Sequence, residues 1–272
     1  MESLTTCLIC GADRLDPLVA IDRWTVVECR ACGLGILSSR PDPSELSTLY
    51  EEQYFAAHEL RCRSATEVAR GIRSQRKRLA LVRSFVRGGR LLDVGCAVGD
   101  FLVAAKRRGF EVEGVEYSAW AADEAIRRLG VPVLVGDIHR LAGGGRRFDA
   151  VTMWHVLEHT RDPIADLTAA RGLLSNGGRL FIELPNYQSI DAKRSGAEWQ
   201  GWQLPYHFWH FTPASLSSLL VKCGFEVIAL KRHPSSYVRN ALKPIPLVGL
   251  FRNLVCLFYA GRDFTLVARK AT

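Results

Sequence analysis

From residue 90 onward, short apolar runs alternate with longer stretches whose apolar residues recur every three or four positions. The runs at 91–94, 110–116, 131–137, 148–154, 179–184, 225–230 and 264–268 are rich in Val, Ile, Leu and Phe. They read as strands, and the periodic stretches between them as amphipathic helices. That alternation predicts an α/β fold with a parallel sheet covered by helices. Ser118 reads as an N-cap, and Thr212 with Pro213 as a cap followed by an N1 proline. A helix is expected over 162–175, then a turn at Asn176-Gly177-Gly178. Residues 64–87 read as one helix with Val68, Ile72, Leu79, Val82 and Phe85 or Val86 inward, ended by Gly88-Gly89 and covering the edge of a cleft. Further upstream, 24–28 reads as a strand, and 39–60 as a proline-bounded turn with a short helix. The expected organisation is 1–38, a linker and helical cleft cover over 39–88, and a sheet domain over 89–272.

The first strand of the sheet runs into Asp93-Val94-Gly95-Cys96-Ala97-Val98-Gly99-Asp100. A strand that turns on glycines into a helix is where an α/β sheet takes a nucleotide-like ligand. Gly95 supplies a left-handed turn residue, and Gly99 lets the helix start close to the strand. Asp93 decides the ligand's charge. A dinucleotide places its pyrophosphate at this turn, where a fixed carboxylate repels it. A ligand carrying positive charge suits the position, and S-adenosylmethionine carries a sulfonium and an ammonium. The second strand ends in Glu116, placed to accept both ribose hydroxyls. The third ends in Asp137, placed for an adenine amino group with the N–H of Ile138 beside it. Three successive strands ending Asp, Glu, Asp are more specific than any one of them.

The N-terminal stretch carries Cys7-x-x-Cys10 and Cys29-x-x-Cys32, each pair followed by glycine (Gly11, Gly33). Two such knuckles predict a tetrahedral four-cysteine site, a structural zinc ribbon. The other four of the eight cysteines are scattered, which is cytosolic usage rather than a disulfide framework. The first residues lack the basic and apolar regions of a signal peptide, so a cytoplasmic location is expected.

Of 272 residues, 48% are hydrophobic and 24% charged, as in globular proteins. The net charge of +8 is concentrated between Arg61 and Arg90. Nucleic-acid binders interleave aromatics with such bases. Only Phe85 appears here, so a solvated helix face is expected and nucleic acid is not the expected partner. The apolar region 241–260 is interrupted by Pro244, Pro246, Arg252 and Asn253, too broken to span a bilayer. It reads as a helix packed on the cleft or on a partner subunit, with peripheral contact to a membrane or a lipid substrate as the alternative.

Together these features resemble the class I S-adenosylmethionine-dependent methyltransferases, in the bacterial branch related to ubiquinone-biosynthesis O-methyltransferases. The resemblance covers 90–270 and rests on Leu92-Asp-Val-Gly-Cys96, Glu116, Gly136-Asp137, Phe148-Asp149, His155-Val-Leu-Glu-His159, Asp162-Pro163 and the block from Leu204 to Pro213. The N-terminal stretch is similar to the ribbon attached to sugar methyltransferases. The resemblance implies a Rossmann-like seven-stranded class I methyltransferase sheet behind an N-terminal four-cysteine zinc ribbon. It implies a cofactor site completed by Cys96, Phe101, Tyr117 and Trp154. Ala97 departs from the commoner central glycine of the turn, a change small enough to let the turn form.

Methyl transfer requires nucleophile and methyl in line, and removal of a proton from a hydroxyl nucleophile. His155 and His159 are four apart and would share a face of a helical turn, with Glu158 adjoining both. His159 is the candidate base, supported by His155 and Glu158. The resemblance equally implies a divalent ion at these three residues. The same letters match an inverted zinc-protease motif, which the upstream glycine turn and acids argue against. Tyr206, His207 and His210 are candidate substrate contacts. Trp199, Trp202, Tyr206, Phe208 and Trp209 either stack on a sugar or form a lid core. The expected function is methylation of a hydroxyl on a sugar, glycolipid or secondary metabolite, with carbon methylation second. An RNA methyltransferase and a ribbon scaffold with a vestigial fold are the rival readings.

Overall fold

The computed structural model describes residues 2–42, 45, 64–130, 132–141, 143–243 and 255–271. A seven-stranded sheet has the order β12-β13-β10-β9-β6-β7-β8. Its members are β6 (Gly89–Val94), β7 (Phe110–Glu116), β8 (Val133–Val135), β9 (Phe148–Trp154), β10 (Leu174–Pro185), β12 (Phe225–Pro234) and β13 (Ala260–Lys270). The last strand lies between its predecessor and β10. A four-stranded sheet of order β11-β4-β3-β2 joins β2 (Leu15–Ile21), β3 (Trp24–Cys29), β4 (Gly35–Leu37) and β11 (Trp209–His210). β1 (Glu2–Ser3) pairs with β5 (Ser39–Arg40). Two compact units divide the chain: Met1–Asp42 with Leu157–Pro163 and Ile182–Val267, and Pro43–Val156 with Ile164–Phe181 and Ala268–Thr272.

In the second unit β6 pairs in parallel with β7 and β9, and β7 with β8. Leu91, Leu92, Phe148, Ala150 and Val151 are fully buried, as near-continuous apolar strands covered on both faces should be. The helix α3 (Asp100–Lys106) follows the glycine turn, and α4 (Ala119–Leu129) starts at Ser118, whose hydroxyl accepts from the N–H of Ala121. β7 and β9 have the expected bounds. β8 is shorter, because Gly136 (φ 131°) turns the chain out of the sheet; residue 131 lies outside the described residues. α5 (Pro163–Leu173) ends early, and β10 begins before the expected glycine turn. Gly177 takes φ 87°, and Gly178 lies where a Cβ would meet the carbonyl oxygen of Phe148 at 2.9 Å.

The expected single helix over 64–87 is two, α1 (Ala65–Ser74) and α2 (Arg76–Phe85). The Ser74 hydroxyl donates to the carbonyl of Gly71 at 2.6 Å, a local bond that competes with the helix ladder, and Gln75 flattens to ψ −3°. Leu79 and Val82 are buried, Val68, Ile72 and Val86 half-buried, and Phe85 exposed. The short helix expected over 39–60 falls largely outside the described residues.

In the first unit, β2 and β4 flank the expected strand β3. Val26 of β3 packs with Tyr187, Ala192, Trp199 and Trp202. The two tryptophans are thus core rather than a sugar platform. α6 (Ile190–Ser195), α7 (Pro213–Lys222) and α8 (Ser236–Ala241) belong to this unit. Thr212 caps α7 in a reciprocal box with Ser215. Asp191 ties α6 to α8: its carboxylate accepts from the Ser235 hydroxyl and from the N–H groups of Ser236 and Tyr237. Of 241–260, residues 244–254 lie outside the described set; beyond them Cys256 is buried and Phe258 exposed. Among the described residues no helix is long and apolar enough to cross a membrane.

Candidate functional site

The glycine turn of the second unit contains three left-handed residues: Gly95 (φ 68°), Ala97 (φ 46°) and Gly99 (φ 79°). Gly95 is also short of room, since a Cβ there would lie 2.6 Å from Cγ2 of Val156. The N–H groups of Gly95 and Cys96 donate to the carbonyl of Val115 at 2.8 and 3.1 Å, tying the turn to the end of β7. Glu116 braces it from the same strand. One carboxylate oxygen accepts from the N–H of Ala97 (2.8 Å) and the other from that of Ser118 (2.9 Å).

Asp93 stands next to these on β6, 2% exposed, accepting from the Thr152 hydroxyl of β9 at 2.6 Å. Burial pushes its carboxyl up to about 7; Glu116 pushes the same way, while the Thr152 bond and Arg78 oppose. Burial also raises Glu116, against the N–H groups of Ser118, Ala97 and Tyr117. Cys96 is buried beside both acids, and burial with their charge keeps its thiol protonated. Two raised carboxyls beside one turn favour a cationic ligand, which would restore their ionised forms.

Phe101 packs edge-on against Trp154 at 5.1 Å. The indole Nε1 of Trp154 is buried with no hydrogen-bond partner among the described residues, a donor left for a ligand. Tyr117 is 81% exposed, directly after Glu116. Asp137 is exposed and Ile138 buried, at the start of a 3-10 turn; the Asp137 carboxylate accepts from the N–H of His139 at 3.1 Å. Asp93 is the penultimate residue of β6 and Glu116 the last of β7, which pair in parallel, and Asp137 follows two residues after the end of the neighbouring parallel strand β8. Arg78 of α2 was not singled out in the sequence. Its guanidinium lies 5.1 Å over the Trp154 ring, and its charge acts on Asp93. Only its partial burial distinguishes it from the exposed Arg76, Lys77 and Arg83 of the same helix.

The segment after β9 departs from expectation. His155 takes a left-handed φ of 57°, and Leu157–His159 form a 3-10 turn, so His155 and His159 do not share a helical face. The first unit instead brings together Glu158, His159 and His207, whose ligand atoms lie within 4.8 Å of one another. The Nδ1 of His159 lies 3.1 Å from the carbonyl of Tyr206, and that of His207 2.9 Å from the carbonyl of Gly201. A carbonyl only accepts, so in each of these contacts Nδ1 is the donor. Imidazoles ordered in this way are what a metal ligand or a base requires. His210 is buried like His207, with its ring 5.0 Å from Trp202 and 6.2 Å from His207. Burial pushes it down to about 3, and its Nε2 has no partner among the described residues. Tyr206 is half-buried, and burial raises its phenol.

Cys7, Cys10, Cys29 and Cys32 converge as a set within 4.8 Å. Cys7 and Cys32 sulfurs are 3.4 Å apart and those of Cys10 and Cys29 3.5 Å, too far for disulfides and near the edge of a tetrahedral site. Gly11 (φ 72°) and Gly33 (φ 69°) make the knuckle turns. Burial raises the thiols of Cys7 and Cys32; at Cys29 burial is outweighed by the N–H groups of Cys32 and Ala31 and by its neighbouring thiols.

Residues 64–230 match the family model described as a methyltransferase domain. The ubiquinone biosynthesis O-methyltransferase of Cereibacter sphaeroides (strain ATCC 17029 / ATH 2.4.9) is 35% identical over 162 residues, covering 53% of this chain and 63% of the relative. That of Dinoroseobacter shibae is 32% identical over 158 residues, with the same shares. The match therefore spans less than two thirds of these relatives. The 1,6-didemethyltoxoflavin-N1-methyltransferase of Burkholderia thailandensis superposes with a TM-score of 0.58 at 17% identity, covering 94% of this chain and 100% of that one. A SAM dependent methyltransferase from Archaeoglobus fulgidus superposes at 0.59 and 18% identity, covering 80% and 100%. At such identities the likeness is one of fold. With a family model matched over more than half of its length and the sheet order and glycine turn described above, the chain belongs to the methyltransferase domain family and has the class I S-adenosylmethionine-dependent methyltransferase fold.

Proposed function

We propose that this chain transfers the methyl group of S-adenosylmethionine to a hydroxyl of a small molecule. The observation that carries the reading is the pair of buried, raised carboxyls, Asp93 and Glu116, beside the glycine turn. Asp93 fits the ammonium end of the ligand, Glu116 the ribose hydroxyls, and Asp137 with Ile138 the adenine edge. Gly95, Cys96 and Gly99 shape the floor, Phe101 and Trp154 wall it, and exposed Tyr117 covers the ribose side. Arg78 suits the ligand's carboxylate. The ligand supplies an electrophilic methyl whose C–S bond breaks with its electron pair staying on sulfur, as the C–O bond forms.

The acceptor hydroxyl must lose its proton. His159 is the residue we assign to that step, with Nδ1 fixed by Tyr206 and Nε2 as acceptor. Glu158, His159 and His207 also fit a divalent ion, a carboxylate and two imidazoles in one cluster, with His155 outside the set. Such an ion would act as a Lewis acid and lower the acceptor hydroxyl's pKa. The four cysteines fit structural zinc. Residues 1–38 are assigned as the ribbon, 39–88 as linker and cover, and 89–272 as the methyltransferase domain. The acceptor class is a sugar, glycolipid or secondary-metabolite hydroxyl, and Tyr206 and His210 are assigned to its contacts. The relatives named for ubiquinone biosynthesis O-methylation support oxygen over carbon as the acceptor atom.

The test is labelled methyl transfer to a panel of sugar nucleotides and phenolic lipids. His159→Ala should lower turnover by about 10²–10⁴, the usual worth of a general base, with cofactor affinity unchanged. Full turnover in that variant would remove both roles assigned to His159.

A further inference from the structure

Two separate segments carry the Glu158–His159–His207 cluster, and both are gripped by one short stretch that runs from the end of the ribbon into the first residues of the linker. Residues 157–161 supply Glu158 and His159; residues 206–210 supply His207 and His210. The stretch from Gly35 to Pro41 touches each of them. β4 pairs antiparallel with β11, placing His210 opposite Gly35 and Trp209 opposite Ile36. One residue on, the N–H of Leu37 donates to the carbonyl of Phe208 at 2.9 Å. The Arg40 guanidinium stacks 4.0 Å over the Trp209 ring and 5.1 Å over Phe208, and its Nη1 donates to the carbonyl of Arg161 at 3.4 Å. Arg161 returns a bond from Nη2 to the carbonyl of Pro41 at 2.8 Å. The two gripped segments also bond to each other. The N–H of Phe208 donates to the carbonyl of Glu158 (2.8 Å), and the Trp209 indole donates to the carbonyl of Thr160 (2.7 Å).

The tightest point of this frame is Gly35. A Cβ there would lie 2.8 Å from Cβ of His210 and 3.2 Å from its carbonyl oxygen. Its backbone is not left-handed, so room and not conformation demands glycine at this position. Upstream, the N–H of Cys29 donates to the carbonyl of Leu34 at 2.9 Å, so the second knuckle leads straight into β4. The Tyr187 hydroxyl locks the same corner: it lies 2.7 Å from the Glu28 carboxylate and 2.7 Å from the carbonyl of Gly33.

We propose that the cysteine ribbon is the positioning frame of the Glu158–His159–His207 cluster, and that Gly35 is the positioning residue that sets where His207 and His210 stand. The proposal rests on the assignment of that cluster to the reaction, but its geometry is tested separately. A ribbon serving to hold RNA would present a free face; this one spends strand β4 and the side chain of Arg40 on the histidine segments.

The experiment uses the full chain with Gly35→Ala, and with Arg40→Lys as a milder variant that keeps the charge but loses the flat stacking surface. Histidine ring signals are recorded by long-range ¹⁵N NMR without added metal, Mn²⁺ binding is titrated by EPR, and S-adenosylmethionine binding is followed by calorimetry. In Gly35→Ala, the signals of His207 and His210 should move and Mn²⁺ affinity should fall at least tenfold, with cofactor affinity within twofold of wild type. Arg40→Lys should show the same pattern at a few-fold, and it decides the matter if Gly35→Ala does not fold. Wild-type ring signals in the variants overturn the proposal, whatever Mn²⁺ does. A wild-type protein that binds no Mn²⁺, with ring signals that still move in the variants, removes the divalent ion and leaves the positioning role supported.

Discussion

The charge state of Asp93 makes a quantitative prediction. Its carboxyl is held near 7 by burial in the ligand-free protein. About nine tenths of the population is then ionised at pH 8 and about one tenth at pH 6. A ligand whose positive charge meets this carboxylate binds the ionised form, so its apparent affinity follows that fraction. S-adenosylmethionine should bind about tenfold more weakly at pH 6 than at pH 8, and binding at pH 7 should release about half a proton from Asp93. Calorimetry in two buffers of different ionisation enthalpy measures that release, with Asp93→Asn as the reference that removes it. Stability is linked with the opposite sign. The folded carboxyl lies above its ordinary value of 3.8, so its contribution to stability is complete below about pH 4 and is lost as pH rises to 7. The loss is on the order of 4 kcal/mol, at 1.36 kcal/mol for each tenfold change in proton affinity. Ligand-free Asp93→Asn should therefore melt higher than wild type at pH 8. Affinity independent of pH between 6 and 8, with the same proton release in both proteins, would refute the reasoning.

Ala97→Gly should raise thermal stability, because a left-handed alanine costs about 1 kcal/mol that glycine avoids, part of it returned as unfolded-state entropy; a lower melting temperature would contradict this. Burial opposes ionisation of Asp191, but its bonds from Ser235, Tyr237 and Ser236 prevail and hold the carboxyl below the usual range. Asp191→Ala should cost about 2 kcal/mol at pH 7, and because a lowered carboxyl loses its contribution as pH falls, the gap should close below about pH 4 in denaturant titrations. Elemental analysis should find one zinc per wild-type chain and none in Cys29→Ser, and the disturbance should reach Trp199 and Trp202 fluorescence because Val26 shares their core; no metal in the wild type, or unchanged metal content or emission in the variant, argues against this.

The strands at 110–116 and 148–154 and the cap at Ser118 were legible because pattern and local chemistry agree there. Asp93 and Glu116 were legible at their strand ends for the same reason, whereas Asp137 stands two residues beyond β8, which ends at Val135. What could not be read was set by distant pairings. β4 is three residues long and exists because β3 and β11 flank it. β2 contains Pro17, which marks it as an edge. The 64–87 helix broke at a serine whose hydroxyl prefers its own backbone, a choice that apolar periodicity does not record. His207 joins Glu158 and His159 across a long stretch of chain, so local spacing pointed to His155 in its place. Arg78 was hidden among equally basic neighbours.

The assignment of S-adenosylmethionine to Asp93, Glu116 and the glycine turn is tested most directly by calorimetric titration of the purified chain with that ligand, alongside Glu116→Gln. The account predicts one site per chain, with affinity falling about ten- to a hundredfold when the charge-assisted ribose bonds are lost. No binding to the wild type, or equal affinity in Glu116→Gln, would contradict it.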